Sequence, residues 1–506
     1  MTSRPRILAT AFAPVPGTSP HGAALMAMVA AIRADVDLVT VKTEQLSHVE
    51  RMGEGRMFRV PLGDGGPMEQ REAFDRAVAR QLEAERYDVV HVRGPFEGAL
   101  AAERKAALGF QLVYEMATFP DETLSTAVEK VWADFHERSL THADLVLVPT
   151  EAAKRGLAES HGGVRVEVLP PGVDVGTLDW RPGVSREVAR ILFLGTFTPD
   201  RELPTLLEAV RRVRTVRPVK VLLAGDPDRS RRDRLRQIVE AFGLSDCIDI
   251  RGEPESRAIA GVIAASDVCV ATAAAAPRFQ VLGDLPQPLL EYMACRRPVV
   301  AAAVPGLADV LRDEREGLLY PPGDDETLAA AILDILGSSR TAERITEGAY
   351  RRVRDHFSSG ARRRRIASIY ETILPELEGE DPWTDDFEED ELGPSESEIE
   401  AAEAALRGEV EPSGPDLDAL EVLEPSTSEL VSLESVPGIA HGAAPRTDDT
   451  GARVSRPGSD PGLQELASEA TTAAFSITDV GIEAPPTRTD TDPGAKLAEE
   501  RTRPGA

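Results

Sequence analysis

The chain has 506 residues, which is longer than one ordinary domain and predicts two or three. Its formal net charge is −29, but 33 acidic and 8 basic side chains lie in residues 376–506, which leaves 53 acidic and 49 basic ones before them. This preceding part is therefore nearly neutral. It lacks the basic surface that a nucleic-acid-binding protein needs.

Cysteine usage and hydropathy indicate an intracellular setting. Cys247, Cys269 and Cys295 stand apart beside apolar runs without a zinc-binding spacing, so we expect buried thiols in a reducing compartment. The N-terminal run MTSRPRILATAF lacks the apolar core of a signal peptide, and no apolar run approaches the ~20 residues of a membrane span. We expect a cytoplasmic protein that can still contact the inner face of a membrane peripherally.

Short apolar runs alternate with amphipathic stretches in the first half of the chain. We predict strands at residues 6–12, 37–41, 88–92, 111–115, 144–149 and 166–170, and helices between them at 22–33, 67–86, 96–108, 123–142 and 151–160. Such alternation is typical of right-handed βαβ units around a mainly parallel sheet. The loop-like stretch from Gly172 to Gly183 then predicts a junction between domains.

The same pattern restarts after this junction. Strands are predicted at residues 191–195, 220–225, 247–252, 267–273 and 298–303, and helices at 203–214, 229–242, 256–265, 288–294, 325–336 and 340–356. Two successive doubly wound units predict an α/β protein with two Rossmann-like domains. Its ligand is then expected between the carboxyl ends of the two sheets.

The end of the chain divides into a helix and an acidic tail. Residues 360–374 place Ile366, Ile369, Tyr370 and Ile373 at helical spacing, which predicts one buried face. The preceding RRRR run suits either a solvated helix face or an anionic membrane surface. From Glu376 onward Glu, Asp, Pro, Ser and Gly dominate, which predicts a disordered tail whose short apolar-acidic stretches could fold on a protein partner.

The stretch from Pro277 to Gly306 predicts a Gly-, Pro- and Asp-rich loop, a short helix that opens at Pro288, and a buried strand. Free N–H groups at such a loop suit a phosphate. Glu291, which we expect in the first helical turn, can accept hydrogen bonds from two neighbouring ribose hydroxyls. The alternative is a carboxylate that only stabilises its own helix dipole.

Three further segments offer candidate groups. Glu115 ends a predicted strand on the side where α/β sheets place ligands, and a capping or solvated role for it is equally open. The loop after the first strand contains Gly17 and Gly22 but no G-x-G-x-x-G, so a hydride-transfer cofactor is not indicated. Asp226-Pro-Asp228 forms a nominal D-x-D, to which we assign no metal.

Two segments of the second half resemble one enzyme family. PLLEYMACRRPVVAA closely resembles the donor-site motif of family 4 glycosyltransferases, which pairs two glutamates eight positions apart. Glu291 matches the second glutamate, whereas Gly283 stands at the first, with Asp284 one place on. FLGTFTPDRELPTLLEA resembles the segment whose Arg and Lys bind the donor diphosphate; Arg201 matches the Lys in charge, and Thr196 stands where the Arg would be.

The resemblance implies the GT-B fold, in which two Rossmann-like domains face a cleft. We expect an acceptor-side domain at 1–178, a nucleotide-sugar domain at 179–356, a helix at 357–375 that crosses back to the first domain, and the disordered tail at 376–506. Catalytic candidates are Glu115 and Arg201. The implied substrate-binding residues are Gly17, Gly22, Arg201, Asp284, Leu285, Leu289, Leu290 and Glu291.

The implied function is transfer of a hexose from a nucleotide-diphosphate sugar with retention of the anomeric configuration, without a metal or other cofactor. The acceptor stays open between a glycan, a lipid-linked molecule and a small molecule, and no nucleic-acid partner is expected. Two alternatives remain. One is a nucleotide-sugar epimerase on the same fold; the other is a non-catalytic binding or scaffold protein, which Thr196 and Gly283 favour.

Overall fold

The computed structural model describes residues 4–15, 20–32, 34–43, 47–117, 126–175, 187–254 and 256–374. Gly17 and the acidic tail therefore lie outside the described residues. Within the described part, all three cysteines are buried and form no disulfide, as expected. No helix there combines the length and apolarity that crossing a bilayer requires.

The first domain is built on an eight-stranded sheet in the order β3-β4-β2-β1-β5-β6-β7-β8. Neighbouring strands are parallel except for β3 and β4, which form an antiparallel hairpin at one edge. The strands are β1 Arg6–Pro14, β2 Asp35–Val41, β3 Val49–Met52, β4 Gly55–Val60, β5 Val89–Val92, β6 Gln111–Glu115, β7 Leu145–Val148 and β8 Val166–Val168. The intervening helices are α1 Pro20–Ala31, α2 Pro67–Ala84, α3 Pro95–Leu108, α4 Thr126–His142 and α5 Glu151–Ser160.

The second domain has a six-stranded, wholly parallel sheet in the order β11-β10-β9-β12-β13-β14. Its strands are β9 Ala189–Leu194, β10 Val219–Ala224, β11 Ile248–Ile250, β12 Val268–Ala271, β13 Val299–Ala302 and β14 Leu318–Tyr320. Its helices are α6 Leu203–Arg214, α7 Arg229–Ala241, α8 Ser256–Ala264, α9 Pro277–Gln280, α10 Gln287–Ala294, α11 Pro305–Val310, α12 Asp325–Gly337 and α13 Ser339–His356. Buried apolar strands with helices on both faces explain this doubly wound arrangement.

The last described helix, α14 (Ser359–Ile373), leaves the second domain and packs against α1 of the first. Its apolar face places Ile366, Ile369, Tyr370 and Ile373 in the same buried cluster as residues of β1, α1 and β2. The 3.6-residue periodicity that predicts this helix therefore corresponds to a buried face. Together the two sheets confirm the predicted α/β architecture with two Rossmann-like domains.

Candidate functional site

The second sheet has its topological switch point between β9 and β12, where the strand order reverses. Ligands of doubly wound sheets bind in the crevice outside the carboxyl ends of the strands at such a point. The two loops that leave these strand ends are tied together. The Thr272 hydroxyl donates to the Arg201 carbonyl, and the Ala274 N–H donates to the Asp200 carbonyl at 2.8 Å.

Two arginine side chains lie against the same aromatic ring in this crevice. The guanidinium carbons of Arg201 and Arg278 lie 5.2 and 5.6 Å from the centroid of the Phe279 ring. Arg278 donates to the carboxylates of Asp284 at 2.6 Å and Asp200 at 3.1 Å. These two carboxylates offset part of the positive charge of the pair and hold Arg278 in place.

Arg201 is the buried member of the pair, with 8% of its surface exposed. Its Nε–H has no hydrogen-bond partner among the residues that the structure describes, and burial together with the nearby Arg278 lowers its pKa from the ordinary value. The guanidinium still remains protonated at neutral pH. A buried cation with an unused donor is costly for the free protein, and an anionic ligand in the crevice would relieve that cost.

Glu291 lies in α10, the helix that follows the loop containing Asp284. Its carboxylate has no hydrogen bond or ion pair with any described residue, and burial raises its pKa to about 7. Because α10 begins at Gln287, Glu291 is the fifth helical residue, so the expectation that it lies in the first turn was wrong. The helix dipole acts mainly on charges within the first turn. The alternative that Glu291 only stabilises its own helix dipole is therefore less favoured.

The other residues predicted around α10 have their side chains engaged elsewhere. Leu289 and Leu290 are fully buried in the core of the second domain, and Leu285 is 5% exposed in the same core. A ligand could reach these three only through their backbone. The carboxylate of Asp284 is held by Arg278, so it supports that cation and is not free to replace the missing first glutamate.

The structure gives a physical reason for glycine at position 283. Gly283 has φ of +62°, and a Cβ there would lie 2.4 Å from Thr150 Oγ1 and 2.8 Å from the Ala153 nitrogen. Thr150 caps α5 in the first domain and donates its hydroxyl to the Gly283 carbonyl at 3.0 Å. A glutamate, which the resemblance to the family motif would place at this position, would clash with these atoms while the two domains are in contact.

A second contact between the domains lies nearby. The carboxylate of Asp309, just before the end of α11, accepts a hydrogen bond from the Ala152 N–H in the first turn of α5 and pairs with Arg155 at 3.2 Å. An acidic side chain at a helix N-terminus is electrostatically favourable. Thr150 and Asp309 were missed in the sequence because contacts between residues so far apart have no local pattern.

We predict that Gly283→Ala destabilises the contact between the domains more than an ordinary glycine replacement does. Gly63→Ala is the matched control, because Gly63 also has a left-handed φ, +72°, but a Cβ there would meet nothing within 4 Å. The control should show only the backbone strain of ~1–2 kcal/mol. Thermal unfolding of both variants checks this, and equal destabilisation would contradict the packing argument.

Glu115 occupies the centre of a buried ion cluster at the carboxyl end of β6. It accepts hydrogen bonds from Arg93 at 2.9 Å, from Arg362 of α14 at 2.8 Å and from His91 Nε2 at 3.1 Å. Burial alone would raise the pKa of Glu115, but the two guanidinium groups outweigh it and hold the pKa well below its ordinary value. Its predicted catalytic role stays a prediction, while its contacts are those that fasten α14 to the first domain.

The remaining predicted groups lie at other strand ends. Gly22, near the start of α1, lies so close to the end of β1 that a Cβ there would be 2.9 Å from the Pro14 carbonyl oxygen. Asp226 accepts hydrogen bonds from the Phe197 N–H at 2.6 Å and from Arg231 at 2.8 Å, and Asp228 caps α7. The D-x-D carboxylates thus have structural partners, and the described residues contain no cluster of metal-ligand type.

Comparisons with known proteins identify the family of the chain. A family model described as "Glycosyl transferase 4-like domain" matches residues 17–172, and one described as "Glycosyl transferases group 1" matches residues 188–338. A phosphatidyl-myo-inositol mannosyltransferase from Mycobacterium leprae is 28% identical over 63% of this chain and 83% of its own length. A D-inositol 3-phosphate glycosyltransferase from Acidothermus cellulolyticus is 27% identical over 68% of this chain and 82% of its own.

Solved structures share the fold at low sequence identity. Sucrose-phosphate synthase from Thermosynechococcus elongatus is similar with a TM-score of 0.62 and 21% identity over 74% of this chain and all of that one. HepE from Anabaena, solved in complex with UDP and glucose, is similar with a TM-score of 0.57 and 18% identity over 72% of this chain and 99% of its own. The predicted GT-B fold is confirmed, and the chain belongs to the family 4 glycosyltransferases.

Proposed function

We propose that the chain transfers a hexose from a nucleotide-diphosphate sugar to the hydroxyl of an acceptor, with retention of the anomeric configuration. Glycosyl transfer follows from the family, and HepE, one of the similar structures, was solved with UDP and glucose. The observation that carries the proposal for this chain is the buried Arg201 at the switch point, whose Nε–H has no hydrogen-bond partner among the described residues.

The two arginines on Phe279 bind the diphosphate in this proposal. Arg201 supplies a planar fork of donors that can hold two phosphate oxygens at once. Arg278, 19% exposed at its side chain and fixed by Asp200 and Asp284, takes the place of the family arginine that Thr196 replaces. The pair can therefore stabilise the negative charge that develops on the leaving diphosphate as the glycosidic bond breaks.

Glu291 binds the nucleoside end of the donor. Its ionised carboxylate can accept hydrogen bonds from both hydroxyls of a ribose, which the absence of any other partner leaves it free to do. With the hydroxyls and the diphosphate fixed at their two sites, the reacting carbon is held in a defined place in the cleft.

The reaction in this proposal needs no enzyme base. The bond between the anomeric carbon and the diphosphate oxygen breaks, the acceptor oxygen attacks from the same face, and the proton of that hydroxyl moves to the leaving diphosphate. Closure of the domains through Thr150 and Asp309 would exclude water from this step. The structural engagement of Asp226 and Asp228 supports a metal-independent reaction.

The acceptor and the cellular location also belong to the proposal. The acceptor is unidentified and would bind between the first sheet and the donor, because parallel α/β sheets bind ligands outside the carboxyl ends of their strands. The names of the two relatives refer to inositol-containing acceptors, which makes such polyols the first acceptors to test. Cytoplasmic localisation with peripheral membrane contact also stays a prediction.

Nucleotide binding tests the donor site directly. We expect one member of a panel of UDP, GDP and ADP to bind the full chain in isothermal titration calorimetry. Glu291→Gln should weaken that binding by roughly tenfold or more, because a hydrogen bond to a charged group is worth ~1.5–3 kcal/mol. Glu240→Gln makes the same change at an exposed carboxylate of α7 and serves as the control.

The pH dependence of nucleotide binding gives a second test of the role of Glu291. Since burial raises the pKa of Glu291 to about 7, the carboxylate is mostly protonated at pH 6 and mostly ionised at pH 8. Nucleotide affinity of the unmodified chain should therefore increase with pH across this range, by up to about tenfold, and Glu291→Gln should lose the increase. No binding by any nucleotide to a folded chain would contradict the transferase proposal and favour the non-catalytic alternative.

A further inference from the structure

A groove rich in arginine lies on the second domain, away from the candidate donor site. It has a volume of about 430 Å³ and runs between the segment after α11 and the C-terminal half of α13. Two carboxylates, those of Glu316 and Asp355, and the His356 ring also line it. The arginines that line it are Arg312, Arg315, Arg344, Arg351 and Arg352.

The positive charge of this groove is only partly offset within the domain. Arg312 pairs with Glu316, and Arg351 pairs at the rim with Glu347 at 3.3 Å. Arg352 donates to the backbone carbonyls of Val310 and Asp309, and Arg344 donates to the carbonyl of Glu314.

Hydrogen bonds to neutral carbonyl groups do not by themselves neutralise the charges of Arg344 and Arg352. Arg315 is exposed, and its side chain has no partner among the described residues. Five arginines therefore face three carboxylates when Glu347 at the rim is included, and the groove keeps an excess of positive charge. Such a concave surface with a net positive charge attracts an acidic ligand.

The chain itself supplies a segment of matching charge. Residues 376–391, ELEGEDPWTDDFEEDE, contain ten acidic and no basic side chains, and they follow directly after α14. His356 is the last residue in the sequence that lines the groove, and it lies three residues before the start of α14. The acidic segment and the groove are thus separated along the chain by little more than the length of α14.

The segment is long enough to return to the groove. The 15 residues of α14 span roughly 22 Å at 1.5 Å per residue, so about seven extended residues cover the way back. A tether this short holds the segment at a local concentration on the order of millimolar, which an untethered acidic peptide in solution would not reach.

We propose that residues 381–391, the part of this segment beyond the tether, bind in this groove as an intramolecular ligand. Arg315 and Arg351 are both exposed and therefore accessible to its carboxylates. Arg352 donates to the carbonyl of Asp309, the residue whose carboxylate contacts α5. The bound segment therefore lies next to the contact between the two domains.

Zero-length cross-linking of the full chain tests the proposal. Arg315→Lys and Arg351→Lys keep the charge and add an amine that a carbodiimide can join to a carboxylate. Arg229→Lys is the matched control, because Arg229 is an exposed arginine of α7 in the same domain. We expect mass spectrometry to find cross-links from positions 315 and 351 to residues 381–391, at least fivefold more abundant than from position 229.

The salt dependence of these cross-links is a second test of the proposal. Because the Debye length shortens from about 10 Å at 0.1 M to about 3 Å at 1 M, these cross-links should fall at least fivefold in 1 M NaCl. Absent cross-links, or equal yields from position 229, would overturn the proposal. Cross-links found only in a dimer band would assign the groove to a second copy. The groove could instead bind a membrane. In that case no cross-link forms, the chain sediments with vesicles containing phosphatidylglycerol, and the double substitution Arg315→Glu with Arg351→Glu abolishes this sedimentation. This outcome would contradict the proposal.

Discussion

Arg201→Gln is expected to weaken nucleoside diphosphate binding by roughly 10- to 150-fold, which corresponds to the loss of charge-assisted hydrogen bonds worth ~1.5–3 kcal/mol. Arg201→Lys should recover little of this, since an ammonium cannot reproduce a planar fork stacked on Phe279. Calorimetric titration with the nucleotide that binds the unmodified chain measures both variants. Arg229→Gln, which removes an exposed arginine of α7, is the control and should bind normally.

The stability of the Arg201→Gln variant distinguishes binding from structure. Arg201 is buried and its Nε–H has no partner in the described part of the chain, so the free protein has a desolvated charge there without full compensation. Removing that charge should leave the melting temperature unchanged or raise it, while nucleotide binding falls. A large fall in melting temperature together with unchanged binding would show that Arg201 only supports the loop.

Glu115→Ala is expected to lower the free energy of unfolding by ~3–5 kcal/mol, because it leaves Arg93 and Arg362 buried without their shared carboxylate. Chemical unfolding at neutral pH measures this loss. Glu167→Ala is the matched control: Glu167 pairs with Arg365 of the same helix α14, but at the surface, where such a pair is worth ~0–1 kcal/mol.

The pH dependence of stability follows from the same cluster. The folded chain holds the pKa of Glu115 below its unfolded value, so its contribution is fully present above the unfolded pKa of about 4.3 and is lost as the pH falls through the folded value. Glu115→Gln should flatten this part of the acid unfolding curve. If Glu115→Ala unfolds like the unmodified chain but loses transfer activity, the predicted catalytic role gains support and the structural one fails.

Most of the fold could be predicted because its elements have strong local patterns. The predicted helices 151–160 and 203–214 match α5 and α6 residue for residue, since both have an apolar face at helical spacing and a clear start. The hairpin of β3 and β4 was not predicted, because β3 is mostly exposed and charged and pairs only at the sheet edge. The short α9 and α11 lie in Pro- and Gly-containing segments that favour loops.

The candidate site likewise contains residues that could be predicted from the sequence and contacts that could not. Arg201 and Glu291 could be found because the family motif is linear in the sequence, and Arg278 could be suggested because it lies close to that motif. The partners of Gly283 could not, because Thr150 is 133 residues away and the clash that excludes a side chain exists only once the domains meet. Likewise, a strand-end position could not reveal that Glu115 binds Arg362 of the last helix.

The placement of α14 has a consequence for the biosynthesis of the protein. Ile366, Ile369, Tyr370 and Ile373 complete the core of the first domain, yet they are synthesised about 200 residues after its last strand, β8. At ~5–20 residues per second, a nascent chain exposes the apolar surface that α14 covers for roughly 10–40 s. The first domain therefore cannot finish folding in the order of synthesis, and the two halves must mature together after the second domain has left the ribosome.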